Sequence, residues 1–240
     1  MATSSKIVSH DGITETQLSA GTDVPRFVIT RADLSPRVSM TENRAQVREQ
    51  AHRQTQKWLT RVWNSVSRST NAPKTKCTEF RIQYTQQGQP YGIHPTLGQC
   101  ALSLSHSDVW YAIATAPQQT LGIDLQCYRH FGPSALQLAF TAEEHGQSMA
   151  LLCAVWAVRE AFLKSHGKGL PYSLRTIQVD WQRRLVSDTT TGLSERMFWI
   201  FYGLYWVCAI CYHPGSRAPV LMPDNLRTSV LCTDLSGRRK

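Results

Sequence analysis

Two acids, a lysine and a histidine stand where their surroundings do not ask for charge. Asp124 lies inside the apolar run LGIDLQ at 121–126. A buried carboxylate there must be paired, protonated or bound to a cation, because an unpaired one is very costly. In an extended segment Asp124 and Gln126 share one face while Ile123 and Leu125 take the other. Gly122 lets a neighbour approach the backbone closely. In VWAVREAFLKSHGKGL, Trp156, Glu160 and Lys164 fall on one face of a helix. The glycines that follow leave backbone N–H groups open beside Lys168, a place suited to phosphate oxygens. Upstream, SLSHS at 103–107 sets Ser105 beside His106. Adjacent residues of a regular strand face opposite ways, so these two cannot form a nucleophile–base pair. A histidine among hydroxyls is suited instead to an anion. Each feature has a plainer reading: Asp124 as a solvated acid at a strand end, and Glu160–Lys164 as a surface pair worth roughly a few tenths of a kcal/mol. Taken together, two carboxylates, a lysine, a histidine and glycine-rich turns are the inventory for Mg2+ and a diphosphate, hard oxygen ligands whose coordination shell the phosphates complete.

The elements that must position these groups can be read from periodicity. In TENRAQVREQAHRQTQKWLTRVWNSVS at 41–67, Val47, Ala51, Trp58, Leu59, Val62 and Trp63 recur at helical spacing. CTEFRIQY alternates as a strand, TQQGQPYG supplies turn chemistry, and QCALSLSHSDVWYAIATA reads as two strands bent around Ser107 and Asp108. TLGIDLQCY is the strand that carries Asp124. In FTAEEHGQ, Thr141 and Glu144 make a capping-box pattern, which predicts a helix starting near 142. A second helical stretch runs from about 148 to 166, with Gly167 as its C-terminal cap. From RTIQVDW onward the chain reads as strands. The uncharged run 198–212 is shorter than the ~20 residues of a membrane-spanning helix, and Gly203 interrupts it. Two buried strands joined near Tyr202 and Gly203 are the expectation.

Composition narrows the class. With 240 residues, 42% hydrophobic and 18% charged, the chain can bury a substantial core. The net charge of +9 favours an anionic partner. The excess is spread along the chain, which suits a general pull on acidic partners better than a dedicated DNA groove. Seven cysteines are an odd number without framework spacing, and the N-terminus has no secretory pattern, so a reducing cytoplasm is expected. Cys208 and Cys211 form a C-x-x-C, but three residues apart on a strand they face opposite ways, and the expectation is core cysteines.

The order GQPYG, SLSHS, GIDLQ, F-T-x-x-E, WAVREAFLKSHGKGL, over roughly 37–213, resembles the 4′-phosphopantetheinyl transferases, specifically the larger two-lobed type that activates surfactin synthetase. The resemblance implies an α+β fold of two similar lobes related by a pseudo-twofold. Each lobe is a small sheet packed on a long helix, and the active site lies in the cleft between them. Residues 1–25 then form a loose N-terminal arm, 26–118 the N-terminal lobe, and 119–240 the C-terminal lobe with a flexible tail. The implied reaction transfers the 4′-phosphopantetheine arm of coenzyme A to a serine of an apo acyl or peptidyl carrier protein, with Mg2+ (alternatively Mn2+), releasing 3′,5′-ADP. By position, Asp124 and Glu160 match the metal-binding carboxylates, and Lys164 matches the lysine that contacts the phosphates; these three would carry the catalysis. Gln126 occupies the third metal position. Ser105 and His106 match the pair near the nucleotide, His106 at the 3′-phosphate. Arg53 in EQAHRQT is a candidate for that phosphate, as are Arg44 and Arg37. Gly88, Gln89 and Pro90 match the turn against the adenine. The expected partners are coenzyme A and a carrier protein with an acidic surface, engaged by a cytoplasmic monomer, with no membrane and no nucleic acid.

Several positions depart from the family pattern. Gln126 stands where many members have a third carboxylate; an amide oxygen can still ligate, but it is no base, which leaves Glu160 or a metal-bound water to accept the proton. Gln89 replaces a lysine, Asp108 stands where glycine is common, and Arg159 replaces a lysine before Glu160 while keeping the charge. Two other readings stand beside the transferase. One is a relative that binds coenzyme A but has lost transfer, with Gln126 as the lost acid. The other is a basic nucleic-acid-binding module, which gives no reason for two acids at a phosphate site.

Overall fold

The computed structural model describes residues 24–32, 40–69, 79–95, 98–117, 120–214 and 216–222. Arg37, residues 1–23 of the expected arm and residues 223–240 at the end of the expected C-terminal lobe lie outside them. The alternating runs become strands and the 3.6-residue runs become helices, as hydrophobic period dictates. In chain order these are β1 (Arg26–Arg31), α1 (Met40–Ser69), β2 (Arg81–Tyr84), β3 (Pro90–His94), β4 (Gly98–Ser107), β5 (Trp110–Ala116) and β6 (Leu121–Cys127). Then come α2 (Pro133–Ala139), α3 (Met149–Ser165), β7 (Ile177–Asp180), β8 (Leu185–Asp188), β9 (Arg196–Tyr202), β10 (Trp206–Tyr212) and β11 (Val220–Leu221). The chain is α+β, with two sheets and three α-helices among the described residues. None of the described helices is long and apolar enough to cross a membrane.

The first sheet has the order β11-β1-β5-β4-β3-β2 and the second β6-β10-β9-β8-β7. Except for the parallel β11–β1 pair, neighbours are antiparallel. Residues 220–222 thus return to the first sheet, where the Val220 and Met222 amides donate to the carbonyls of Pro25 and Phe27. Alternation along the strands sorts side chains into three apolar layers. Val28, Tyr111 and Ile113 meet Trp58, Leu59, Val62 and Trp63 of α1. Their neighbours Phe27, Ile29, Ala112 and Ala114 face the other way and meet Leu121, Ile123, Leu125, Cys208 and Ile210 of the second sheet. On that sheet's far face Val207, Ala209 and Cys211 meet Ala154, Val158, Ala161 and Phe162 of α3. The sheets therefore share one apolar layer, and each carries a helix on its outer face. Each large side chain buried this way is worth roughly 1.5–3 kcal/mol. Cys208 and Cys211 belong to different layers, as expected for core cysteines, and complete burial pushes both thiols well above their ordinary range.

The bend at Ser107 and Asp108 is present, with Asp108 at φ 51°, and the strands at 198–212 join at Gly203. One expectation is corrected. No helix starts near 142; residues 142–146 are turns, and the helices flanking them are α2 and α3. Half of the predicted capping box does form, since the Thr141 amide donates to Glu144 Oε2 at 2.8 Å. The rest of the Glu144 carboxylate goes to Arg159, and the helix begins instead at Ser148, whose hydroxyl accepts from the Leu151 amide. The sequence pattern was local; Arg159, which shares the carboxylate with the Thr141 amide, is distant in sequence.

Candidate functional site

Asp124 sits in the middle of β6, which is the edge strand of the second sheet. Its outward backbone amides have no ladder partner and find side chains instead. Ile123, Leu125 and Cys127 donate to the hydroxyls of Ser103, Ser105 and Ser107 on β4 at 3.0, 3.1 and 3.0 Å. A strand with serine at every second position thus presents three acceptors at the pitch of the facing amides. Behind β6 lies α3, and Gly122 makes the approach possible: a Cβ there would stand 1.9 Å from the Ala161 carbonyl oxygen. The close neighbour anticipated for this glycine is the helix backbone.

This packing buries both acids, leaving Asp124 6% and Glu160 8% exposed. Asp124 is therefore not a solvated strand end. Its Oδ1 accepts from the Ser105 hydroxyl at 2.8 Å and from the Lys164 ammonium at 2.7 Å. Glu160, one turn before Lys164, has Oε1 buried without a hydrogen-bond partner. Burial first, and the Asp124 charge second, push its carboxyl up to about 7, against the opposing pull of Lys164. A buried polar atom without a partner is uncommon and asks for an explanation. The Glu160–Lys164 surface pair is likewise ruled out, because Lys164 bonds to Asp124 across the fold.

Two features fix the helix that carries Glu160 and Lys164. At its C-terminus Gly167, at φ +66°, donates its amide to Lys164 O while the Lys168 amide donates to Leu163 O. This is the 5→2 and 6→1 bonding of a Schellman cap, and it needs the left-handed conformation that glycine adopts freely. Beside Glu160, the Arg159 guanidinium is buried. It donates to both Glu144 oxygens at 2.9 and 2.8 Å and to the carbonyls of Ala139 and Ile177 at 2.6 and 2.8 Å. Sequence reasoning saw only a retained charge at Arg159. The missed signal was the acid of F-T-x-x-E, which needed a partner.

The residues matched to the nucleotide come together in part. Arg53, Ser105 and His106 line one cavity of about 720 Å3 with Glu49, His52 and Tyr84. Arg53 is ion-paired to Glu49 at 2.6 Å one turn earlier on α1. Arg44 is on the same helix, but its side chain lies outside the described residues. The turn at Gly88 (φ +81°) is held by the Gly88 amide on Thr85 O at 2.9 Å and the Gln89 amide on the Thr85 hydroxyl at 3.1 Å. It ends where Pro90 opens β3. Gln89 also donates through Nε2 to Lys164 O at 3.4 Å, which sets this turn against the end of α3. Ser105 is among the residues lining the cavity, and its hydroxyl bonds to Asp124; Asp124 and Glu160 themselves do not line it. His52, Glu49 and Tyr84 were not anticipated; the adjacency of His52 to Arg53 was the available signal.

The residues present fit a hard divalent cation. Asp124 and Glu160 offer carboxylate oxygens, one of them left unpartnered, and Gln126 shares the Asp124 face of β6 with its amide nitrogen donating to Cys127 O at 2.8 Å. Oxygen donors without thiolate or imidazole suit Mg2+ or Mn2+ rather than Zn2+. Among the described residues no group of three or more His, Cys, Asp and Glu could hold a metal. The remaining ligands would have to come from a bound substrate. Compared with protein-family models and with curated proteins, the chain matches none.

Proposed function

We propose that the protein transfers the 4′-phosphopantetheine arm of coenzyme A to a serine of an apo acyl or peptidyl carrier protein, releasing 3′,5′-ADP. The observation that carries this reading is the meeting of Asp124, Glu160 and Lys164 beside a cavity lined by Arg53 and His106. A cavity lined by Arg53, His52 and His106, with the acid pair reached through Ser105, suits a nucleotide with a diphosphate. In this reading the two sheets, each with its outer helix, are two similar lobes related by a pseudo-twofold, with the site in their cleft. The motif order quoted above adds to the geometry.

Asp124 and Glu160 would hold the metal ion, with the Gln126 amide oxygen beside them, and the ion supplies charge neutralisation on the diphosphate when bound. Lys164 meets charge building on the phosphates as the bond to 3′,5′-ADP breaks. Arg53 and His106 hold the 3′-phosphate, and the turn at Gly88, Gln89 and Pro90 lies against the adenine. The carrier serine attacks the β-phosphorus in line with the departing nucleotide. Little covalent chemistry is asked of the chain, so positioning and charge dominate. Gln126 cannot accept a proton. That leaves Glu160 as the carboxylate placed to take the serine proton.

The test is the intact mass of several apo carrier proteins after incubation with coenzyme A, with and without Mg2+. A Mg2+-dependent gain of one phosphopantetheine is expected, with loss of transfer by about a hundredfold or more in Glu160→Gln. Coenzyme A binding without modification of any carrier would favour the impaired relative and remove the transferase reading.

A further inference from the structure

Asp124 already has a cation, and the chain supplies it. The Lys164 ammonium donates to Asp124 Oδ1 at 2.7 Å, to Ile123 O at 3.2 Å and to Leu104 O at 3.4 Å. An ammonium has three donors, and here all three are spent, on acceptors from two different sheets. The Ser105 hydroxyl adds a fourth proton to the cluster on the same Oδ1. Glu160 Oε1 receives nothing. One positive charge thus serves two acids, and it is spent on only one of them.

A divalent ion shared by Asp124 and Glu160 would sit within a few ångströms of the ammonium, whichever Asp124 oxygen it takes, because Lys164 holds Oδ1 of the same carboxylate. Two cations a few ångströms apart repel with an energy that falls only as the inverse of distance, in surroundings where water screens poorly. Lys164 also has somewhere to go. Its side chain is 27% exposed, and a four-carbon stem lets the head swing without moving the helix. Its present acceptor Leu104 also lines the cavity, so an anion bound there is placed to draw the ammonium away.

We propose that Lys164 is the site's own counter-ion: it clasps Asp124 in the free protein and must let go before a divalent cation can seat. An anionic donor that draws the ammonium onto its phosphates thereby opens the acid pair, so donor and metal bind cooperatively, with the donor favoured first. This rests on the reading of the site as one for coenzyme A and a divalent ion. Only the fraction of molecules with Lys164 off Asp124 can take the metal, and the apparent affinity falls by that fraction.

The experiment measures Mg2+ binding by calorimetry and Mn2+ binding by spin resonance on the full chain, without and with coenzyme A, for the wild type and Lys164→Gln. With metal alone, the variant is expected to bind at least about tenfold more tightly than the wild type. A merely through-space effect of a partly solvated charge would be about fivefold at most and would fade with added salt. Equal or weaker binding by the variant overturns the proposal. Because removing Lys164 also strips Asp124 of its partner, a second measurement uses the wild type alone. Acetylation of Lys164 by acetic anhydride, followed by peptide mass, should be slow in the free protein and several-fold faster at saturating Mg2+; no acceleration overturns the proposal. If the wild type takes no metal even with coenzyme A, the reading of the site fails and this inference with it. If it takes metal with coenzyme A while the variant shows no gain with metal alone, only the counter-ion role falls.

Discussion

Glu160 is an expensive residue to keep. Its carboxyl is at 4.5 in an ordinary setting and about 7 here, so the folded chain binds a proton that the unfolded chain has released over that window. With the raised value belonging to the folded state, stability falls as pH rises from about 4.5 and levels off above about 7. The total cost is up to roughly 3 kcal/mol. Glu160→Gln removes this penalty. In chelator, the variant is expected to melt above the wild type at pH 8, with the gap closing toward pH 5, while transfer is lost. A thermal-unfolding series across that range checks it, and a gap that does not change with pH would show that the strain lies elsewhere. At this scale the sequence was informative because the oddity was local. Asp124 in an apolar run announced that it needed a partner, and Lys164 proved to be that partner. The Ser105 role was harder to see. The strand SLSHS looked like an anion cradle, and His106 does line the cavity, but the alternate serines take the amides of an edge strand that is distant in sequence.

At the scale of elements, the joint that matters is β6 against α3. Gly122→Ala would drive a methyl group into the Ala161 carbonyl at 1.9 Å and the Ser165 amide at 2.5 Å. Both are backbone atoms that cannot step aside. A loss of at least about 2 kcal/mol is expected. Gly146→Ala, where nothing lies within 4 Å, should cost far less. Urea unfolding of the two variants decides, and equal losses would mean that the helix can shift. Strand and helix periods, the bend at Asp108 and the Gly167 cap were legible because each is written within a few neighbouring residues. The helix expected near 142 was not realised for a physical reason. The Glu144 carboxylate takes the Thr141 amide and, at the same time, two charge-assisted bonds from the buried Arg159 guanidinium, which tie this segment to α3 as turns. The layering of the sheets had no local signature beyond alternation, since both faces of β6 are buried and its period carries no sign of which face meets which sheet.

At the scale of the whole molecule, the net charge of +9 acts at a distance that no single contact reaches. Under the proposed function it should speed encounter with an acidic carrier, and the effect should decay with ionic strength over a Debye length of roughly 8–10 Å at physiological salt. The expected result is a several-fold fall in kcat/KM for the carrier between about 0.05 and 0.3 M salt, carried by KM rather than kcat. Stopped-flow and steady-state series in NaCl measure it. A flat profile would leave the excess charge with no part in steering. Diffuse charge was readable from composition alone, whereas the cavity that brings Arg53 and His52 of α1 together with His106 of β4 is revealed only by the folded chain.

The seam between the sheets has a mechanical consequence. A hydroxyl has one proton, and that of Ser105 goes to Asp124 while its oxygen takes the Leu125 amide. Of the three serine hydroxyls that join the sheets, this one also holds the acid. A shift of one sheet against the other would therefore reach the carboxylate through Ser105, while Lys164 holds it from α3.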